Sequence, residues 1–156
     1  MITGEGPIIL LAEDDPAHAE IVRRNLAEFR PESQLVHVKD GQEALDYLFR
    51  HNGYADPQSS PRPHLVLLDL QLPKVDGLEL LHRINEDADL KSIPTIVLTT
   101  SGAETDVVKA YSSGAVSYLV KPADFDKFTE LMAAFGYYWL VQNRFPAEPR
   151  TGSGSR

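Results

Sequence analysis

The sequence predicts a doubly wound α/β fold, in which helices cover both faces of one parallel five-stranded sheet. Short apolar runs of four or five residues, typical of buried strands, alternate five times with longer segments whose apolar residues recur at helical spacing. Strict alternation of strand and helix signals implies parallel strands joined by right-handed crossovers. There are no internal repeats.

Each strand is predicted from its own apolar run. The run before Asp69 is the most informative, because four consecutive apolar residues are too few for a surface helix and lead directly into an acid and a turn. We therefore expect this strand in the middle of the sheet. The five predicted strands are residues 8–12, 35–38, 65–68, 95–99 and 117–120.

The helices are predicted from capping residues and from apolar spacing. Pro16 suits the first position of a helix, Asp40 followed by Glu43 is a helix-start pattern, and Asp124 opens a long last helix. Residues 51–63, rich in Gly, Pro, Asn and Ser, form an unusually long loop. The helical apolar residues are Ile21, Val22, Leu26 and Phe29, then Ala44, Leu45, Leu48 and Phe49, then Leu78, Leu80, Leu81 and Ile84, then a weaker set in 105–113, and finally Phe125, Phe128, Leu131, Met132 and Phe135.

Composition limits the possible functions. The 156 residues are 42% hydrophobic, enough for one core and little more. The absence of cysteine excludes disulfides and thiolate metal sites. A formal charge of −8 without a basic cluster disfavours nucleic-acid binding, and the sequence contains neither a signal-peptide pattern nor an apolar run long enough for a membrane span. We expect a cytoplasmic protein that binds neither nucleic acid nor membranes.

Polar residues follow four of the five predicted strands. Glu13 and Asp14 end the first strand, Asp69 the third, Thr99 the fourth and Lys121 the fifth, so a parallel sheet brings them to one edge. Clustered carboxylates repel unless a cation lies among them, and hard oxygen ligands suit Mg²⁺. A lysine and a hydroxyl can donate to phosphoryl oxygens. Asp69 is therefore predicted to be a nucleophile that forms an aspartyl phosphate.

Each of these residues also has a structural interpretation. Glu13, Asp14 and Asp15 could cap the first helix, with Asp15, which precedes Pro16, the preferred cap. Asp69 could form a turn, Thr99 could satisfy the backbone and Lys121 could be a solvated charge. Their joint occurrence at four strand ends favours the functional interpretation. The histidines show no metal-ligand spacing and are interpreted as surface or packing residues. They are His18, His37, His51, His64 and His82.

Four motifs coincide with these strand ends. They are Ile9-Leu-Leu-Ala-Glu-Asp-Asp-Pro16, Leu68-Asp-Leu-Gln-Leu-Pro73 with Asp76-Gly77, Leu98-Thr-Thr100 and Tyr118-Leu-Val-Lys-Pro122. Together they resemble the receiver domain of two-component response regulators. The resemblance covers residues 7–143, leaves 144–156 as a flexible tail, and implies a flavodoxin-like (βα)5 sheet with strand order 2-1-3-4-5.

The resemblance also implies roles for the acids. Asp69 matches the phosphoacceptor, and Glu13 and Asp14 match the acidic pair, with Asp14 the direct Mg²⁺ ligand. Gln71 matches the residue whose backbone carbonyl binds the same metal. Glu13 stands where some members of the family have Asp.

Three further residues match the family's switch and charge-neutralising positions. Thr99 and Tyr118 match the switch pair, in which Thr99 bonds the phosphoryl oxygen and Tyr118 follows into the vacated space. Lys121 matches the site lysine, which in the family is usually followed by a cis proline, here Pro122. The output is then expected from the surface of the fourth helix, fifth strand and fifth helix.

Other features resemble the single-domain regulators of bacterial and cyanobacterial phytochromes. These are loop 51–63, the run Leu98-Thr-Thr-Ser101 and the aromatic end Tyr137-Tyr-Trp139 with Phe145-Pro146. The resemblance implies Mg²⁺-dependent phosphotransfer from a histidine kinase, in particular a phytochrome. It implies autodephosphorylation but no other enzyme activity, and signalling by protein contact or onward phosphotransfer.

Two competing functions remain open. A phosphatase of the haloacid dehalogenase type also uses a strand-end Asp with Mg²⁺, but it needs a second Asp two residues later as general acid, where this chain has Gln71. A pseudo-receiver that only binds partners would normally have lost the acceptor, an acid or the lysine. None of these is lost here.

The end of the last helix predicts a homodimer. Apolar and aromatic residues occupy every position from 137 to 141, so one face of a helix cannot bury them all. We expect a symmetric interface that includes Tyr138, Trp139 and Phe145. In the alternative interpretation, Phe145 and Pro146 fold back over the aromatic side chains.

Overall fold

The computed structural model describes residues 6–146 and contains one five-stranded sheet whose strands are all parallel. The strand order is 2-1-3-4-5. The predicted doubly wound α/β fold is therefore confirmed, strand order included. The strands are β1 (Ile8–Ala12), β2 (Gln34–Val38), β3 (Leu65–Leu68), β4 (Thr95–Thr99) and β5 (Ser117–Val120).

Five α-helices connect and follow these strands. Loop 51–63 contains a short 3-10 helix, Asn52–Tyr54, a second one spans Leu90–Ser92, and the last helix passes into a π-helix, Tyr137–Gln142. None of the helices in residues 6–146 is long and apolar enough to cross a membrane. The α-helices are α1 (Pro16–Phe29), α2 (Gly41–Phe49), α3 (Gly77–Glu86), α4 (Glu104–Ser112) and α5 (Phe125–Gly136).

Aspartate caps determine where four of the five α-helices begin. The carboxylates of Asp15, Asp40, Asp76 and Asp124 each accept hydrogen bonds from backbone N–H groups in the first turn of α1, α2, α3 and α5. Such a cap stabilises a helix by about 1 kcal/mol. Helix α4 follows Ala103, which provides no side-chain cap, in keeping with its weaker sequence pattern.

The core consists of two apolar layers, one on each face of the sheet. Strands β1, β3 and β4 are buried along their whole length, and successive side chains enter opposite layers. One layer packs under α2, α3 and α4, and the other packs under α1 and α5. The buried strand residues of the first layer are Leu10, Ala12, Val38, Val66, Leu68 and Val97, and those of the second are Ile9, Leu11, Leu65, Leu67, Ile96 and Leu98.

The last helix differs from the continuous one that the sequence predicts. It stays α-helical to Gly136 and continues as a π-helix, in which Asn143 N–H donates to the Tyr138 carbonyl at 2.6 Å. Gly136 lies so close to Phe29 of α1 that an added Cβ would stand 2.8 Å from the Phe29 ring. This close approach joins the end of α5 to the end of α1.

Candidate phosphoacceptor site

Three carboxylates meet at the carboxyl edge of the sheet, as the strand-end residues predict. One oxygen from each of Glu13, Asp14 and Asp69 lies within 4.8 Å of the others. Glu13 and Asp69 are buried, with 1% and 5% of their surface exposed, whereas Asp14 is exposed. Because Asp14 is exposed, the cluster is open to solvent on that side. Gly77 lets the start of α3 approach the Asp69 backbone closely, because an added Cβ would stand 2.3 Å from the Asp69 carbonyl oxygen.

Lys121 enters this cluster from the end of β5. Its Nζ donates to Glu13 Oε1 and to Asp69 Oδ2, both at 2.7 Å, and its side chain is 1% exposed. Three carboxylates against one ammonium leave a formal charge of 3 − 1 = 2 negative units. A divalent cation would balance that charge, and carboxylate oxygens are the ligands that Mg²⁺ prefers. The residues therefore fit such an ion.

The pKa of Glu13 supports the same conclusion. Burial raises the pKa of this carboxyl above its usual value, the hydrogen bond and charge of Lys121 oppose the rise, and the charge of Asp69 adds to it. One lysine is thus not enough to compensate the buried negative charge. A cation among the three carboxylates would lower the pKa of Glu13 again.

Both carboxylate oxygens of Asp69 accept hydrogen bonds. Oδ2 accepts from Lys121, and Oδ1 accepts from the backbone N–H of Gln71 at 3.1 Å. The Gln71 side chain reaches across to the β4–α4 loop, where its Oε1 accepts from the Thr100 hydroxyl at 3.0 Å. The role predicted for Gln71 concerns its carbonyl and stays a prediction.

Thr99 and Tyr118 both contact Ser101, which follows β4. Thr99 is buried, and its Oγ1 lies 3.5 Å from the Ser101 nitrogen. The half-buried Tyr118 donates from its hydroxyl to the Ser101 carbonyl at 2.8 Å, and burial raises the pKa of this phenol. The Ser101 hydroxyl in turn donates to Asp106 of α4 at 2.6 Å. The predicted switch pair is therefore linked to α4 through one residue.

The preferred role of Asp15 as the cap of α1 is confirmed, and Asp14 does not cap the helix. Asp15 Oδ1 accepts from the N–H groups of Ala17 and His18 at 2.9 and 3.3 Å. Glu13 Oε2 accepts from the Asp15 N–H at 3.1 Å and so helps to hold the turn. Among the hydrogen bonds of the described part of the chain, none involves the Asp14 side chain.

His18 is the site residue that the sequence interpretation missed. Its Nδ1 lies 3.0 Å from Lys121 Nζ, and its ring lies 5.4 Å from the Phe128 ring. Metal-ligand spacing, the pattern from which the histidines are interpreted in the sequence, does not indicate a single histidine that hydrogen-bonds a lysine. A usable signal was its position in the first turn of a helix that begins directly at the acidic pair.

Two further expectations have different outcomes. The structure contains no cis peptide bond in residues 6–146, so the bond before Pro122 is trans and the expectation of a cis proline there is wrong. The trans form is also the lower-energy form. The predicted interface residues Trp139 and Phe145 lie away from the carboxylate cluster. Phe145 stacks against Trp139 and contacts His64, which precedes β3, so these aromatic side chains lie at the opposite edge of the sheet from Asp69. Their role in a dimer interface stays a prediction.

Comparison with known proteins gives two relatives that align with this chain over most of their own length. A relative from Methanothrix harundinacea, the probable methanogenesis regulatory protein FilR2, is 42% identical over 147 residues, 94% of this chain and 92% of its own. Response regulator Rcp1 of Synechocystis sp. is 37% identical over 140 residues, 90% of this chain and 93% of its own.

Solved structures agree with these relatives. The phosphorylated cyanobacterial phytochrome response regulator RcpA is 35% identical and superposes with a TM-score of 0.85, covering 90% of this chain and 99% of its own. The Mn²⁺-bound form of Rcp1 is 36% identical with a TM-score of 0.84 and the same coverage. The sequence model of one protein family, the response regulator receiver domain, matches residues 9–133, and the chain therefore belongs to that family.

Proposed function

We propose that this protein is a response regulator that accepts a phosphoryl group on Asp69 from the phosphohistidine of a histidine kinase. The observation that carries the proposal is the environment of the Asp69 carboxylate. One oxygen is held by a buried lysine, the other by a backbone N–H, and two more carboxylates lie beside it. Such a group is oriented for attack and surrounded by groups that handle phosphoryl charge.

In the proposed reaction a carboxylate oxygen of Asp69 attacks the phosphorus of the phosphohistidine. The new P–O bond forms as the P–N bond breaks, and the electron pair of that bond returns to the imidazole nitrogen of the kinase. Lys121 Nζ, already 2.7 Å from Asp69 Oδ2, is near enough to donate to an oxygen of the transferring group. Gln71 has no carboxylate to protonate a leaving group, so turnover of external phosphoesters is not expected.

Glu13, Asp14, Asp69 and the Gln71 backbone carbonyl would hold Mg²⁺. When bound, the ion would neutralise negative charge on the phosphoryl oxygens. The excess negative charge of the cluster and the raised pKa of Glu13 support this assignment. The relative Rcp1 has been crystallised with Mn²⁺, a cation of similar ligand preference.

The effect of phosphorylation would reach α4 and β5 through Ser101. Phosphorylation brings a new acceptor oxygen near Thr99, whose hydroxyl would then donate to it. Because Ser101 contacts Thr99, Tyr118 and Asp106, a shift of Thr99 changes the contacts that hold α4 and β5. The phosphoryl group alters the balance of two conformations only by the difference of its contacts in each, so a partial shift without phosphate is compatible with this scheme.

A groove beside the site is a candidate docking surface for the kinase. It has a volume of about 450 Å³ and lies between α1 and α5. Ala17 and Ile21 line one wall, and Phe125, which is 63% exposed, lines the other. Ala17 follows the acidic pair and Phe125 follows Lys121 closely in sequence, so this end of the groove adjoins the strand-end residues of the site, and a kinase segment bound there could present its phosphohistidine to Asp69.

A phytochrome is the kinase that we propose as the donor. The relative RcpA is a phytochrome response regulator, and its likeness extends over 90% of this chain. The receiver domain would span residues 7–143, because the π-helix after α5 packs with α1 and belongs to the same core. The signal would leave by protein contact or by onward phosphotransfer.

Incubation with phosphorylated kinases tests the proposal. Candidate kinases, phytochromes among them, are labelled with radioactive ATP and mixed with the wild-type protein and Mg²⁺. We expect rapid transfer of label to the wild type and none to Asp69→Asn, whereas the control Asp56→Asn, in the exposed loop, takes label normally. Wild-type labelling of Asp69→Asn would refute the assignment of Asp69.

A further inference from the structure

We infer that His18 is a positioning residue for Lys121, completing the hydrogen bonds that hold the ammonium group beside Asp69. The inference rests on the proposed function for its consequence, although its geometry stands apart from it. His18 touches neither the acceptor carboxylate nor, in the proposed reaction, the phosphoryl group. It acts through the lysine.

The hydrogen-bond count of Lys121 carries the inference. An ammonium has three N–H donors and no acceptor. Two of them are used by Glu13 and Asp69 at 2.7 Å, and the third has the His18 ring nitrogen as its partner at 3.0 Å. With 1% of the lysine side chain exposed, water cannot easily replace that partner. The imidazole therefore satisfies a donor that would otherwise be buried without one.

The contact also fixes the protonation pattern of the ring. Since the ammonium can only donate, Nδ1 of His18 must carry a lone pair, and the ring proton must be on Nε2. Nε2 lies 3.6 Å from Asp15 Oδ2, and Nδ1 also lies 3.9 Å from Glu13 Oε2. Asp15 in turn is fixed because it caps α1.

Two helices hold the ring in place. The N-terminus of α1 supplies His18 and its partner Asp15, while Phe128 of α5 supports the ring at 5.4 Å. Apart from Asp69, Nζ is thus held by Glu13 at the end of β1 and by His18, which α1 and α5 keep in place. This matters for catalysis, because the lysine must exchange its bond to Asp69 for one to the phosphoryl group without losing its place.

Removal of the imidazole should leave the ammonium attracted only by the two carboxylates. His18→Leu keeps an apolar group against Phe128 but offers no acceptor. We expect about tenfold slower phosphorylation of Asp69 by acetyl phosphate, a donor that needs no docking surface, which is the size of effect expected when one bond to a charged group is partly lost. His18→Asn, whose Oδ1 can accept from the lysine, should recover most of the rate.

Three controls separate positioning from a structural role. Mg²⁺ affinity should be unchanged in His18→Leu, since Glu13 and Asp14 are intact. In a Lys121→Met background His18→Leu should cause no further slowing, because it acts through that lysine. His82→Leu, an exposed histidine of α3, should leave the rate unchanged. A wild-type rate in His18→Leu, or equal slowing in the Lys121→Met background, would overturn the inference.

A readout without phosphorylation distinguishes failure of the inference from failure of the proposed function. NMR of ¹⁵N-labelled lysine side chains should detect one protected ammonium signal in the wild type, lost in His18→Leu and regained in His18→Asn. If acetyl phosphate and kinases leave wild-type Asp69 unmodified while this pattern holds, the proposed function fails and the positioning contact stands. If labelling proceeds and the signal is the same in all three proteins, the inference fails alone.

Discussion

At the scale of single residues, the site is organised around an imbalance of charge. Buried acids next to one lysine cost stability unless each charge is paired, because desolvation of an ion costs several kcal/mol. Lys121 pairs with Glu13 and Asp69, and Asp14 keeps its contact with solvent. The exposed acid therefore contributes little to the fold and is free to bind a cation.

Asp14→Ala should accordingly separate metal binding from stability. We expect Mg²⁺ affinity, measured by calorimetric titration, to fall by at least about tenfold because a direct carboxylate ligand is lost. The thermal unfolding temperature without Mg²⁺ should be unchanged or slightly higher, since one repelling charge is removed.

The neighbouring acid provides the matched control for Asp14. Asp15→Ala removes the cap of α1 and should cost about 1 kcal/mol of unfolding free energy, with Mg²⁺ affinity nearly unchanged. If instead Asp14→Ala lost the stability and kept the affinity, the two acids would have exchanged roles and the metal assignment would be wrong.

How far the sequence predicts the site depends on the type of contact. Glu13, Asp14, Asp69 and Lys121 follow from strand ends, because strand order alone brings them together. His18 and the bond between Gln71 and Thr100 depend on side-chain directions and loop geometry, which apolar patterns do not encode. Site residues placed by side-chain direction or loop geometry are therefore harder to predict than site residues at strand ends.

At the scale of elements, the sequence predicts the regular parts well. Four predicted strands coincide with those observed, and β2 begins one residue earlier, at Gln34. Asp15, Asp40 and Asp124 predict the starts of α1, α2 and α5, because a cap is a local signal, whereas the cap of α3, Asp76, was not predicted. The change from α to π geometry after Gly136 was not predicted, since it accompanies a contact with Phe29, more than a hundred residues away in sequence.

The groove between α1 and α5 gives a prediction about the kinase. Phe125→Ser should slow transfer from a phosphorylated kinase by about tenfold or more, because an exposed aromatic side chain is a common source of binding energy. Phosphorylation by acetyl phosphate should proceed as in the wild type. Tyr111→Ser, an exposed aromatic of α4, is the control; equal slowing by both variants, or by both donors, would exclude a specific role for the groove.

The contact between His64 and β1 gives a prediction about pH. His64 Nδ1 accepts from the Ile8 N–H at 3.0 Å, and burial, with a smaller effect of the Arg30 charge, lowers the pKa of this ring below 6.5. The unfolded chain then binds the proton first as pH falls. The stability contribution of His64 is therefore constant above about pH 6.5 and decreases below it.

This pH dependence can be measured with the single tryptophan. Urea unfolding followed by Trp139 fluorescence, at several values between about pH 7.5 and 5, should give a stability loss on acidification that is smaller in His64→Asn, which accepts the same bond without titrating. His51→Asn, an exposed histidine, should behave as the wild type. An identical slope in wild type and His64→Asn would show that this ring does not contribute.

At the scale of the whole molecule, the aromatic segment after α5 agrees in part with both interpretations of the sequence, a dimer interface and a tail that folds back over the aromatic side chains. Phe145 does stack on Trp139, at 6.2 Å between ring centroids, and Trp139 is half-buried. Tyr137, Tyr138 and Val141 nevertheless remain exposed on the same π-helix. The tail thus covers one aromatic and leaves an apolar strip that a second copy of the chain could cover.

We therefore expect a homodimer in which Tyr138, 55% exposed, is a central contact, with Trp139 and Phe145 forming the rigid base beneath it. Sedimentation at micromolar concentration should give a dimer for the wild type and at least about tenfold weaker association for Tyr138→Ala, since exposed tyrosines often dominate interfaces. Tyr111→Ala, which removes an aromatic of similar exposure from α4, should remain dimeric. Trp139→Ala is a poorer test, because Trp139 also supports Phe145 within the monomer. A monomeric wild type, or a Tyr138→Ala protein that dimerises like the wild type, would contradict this interface.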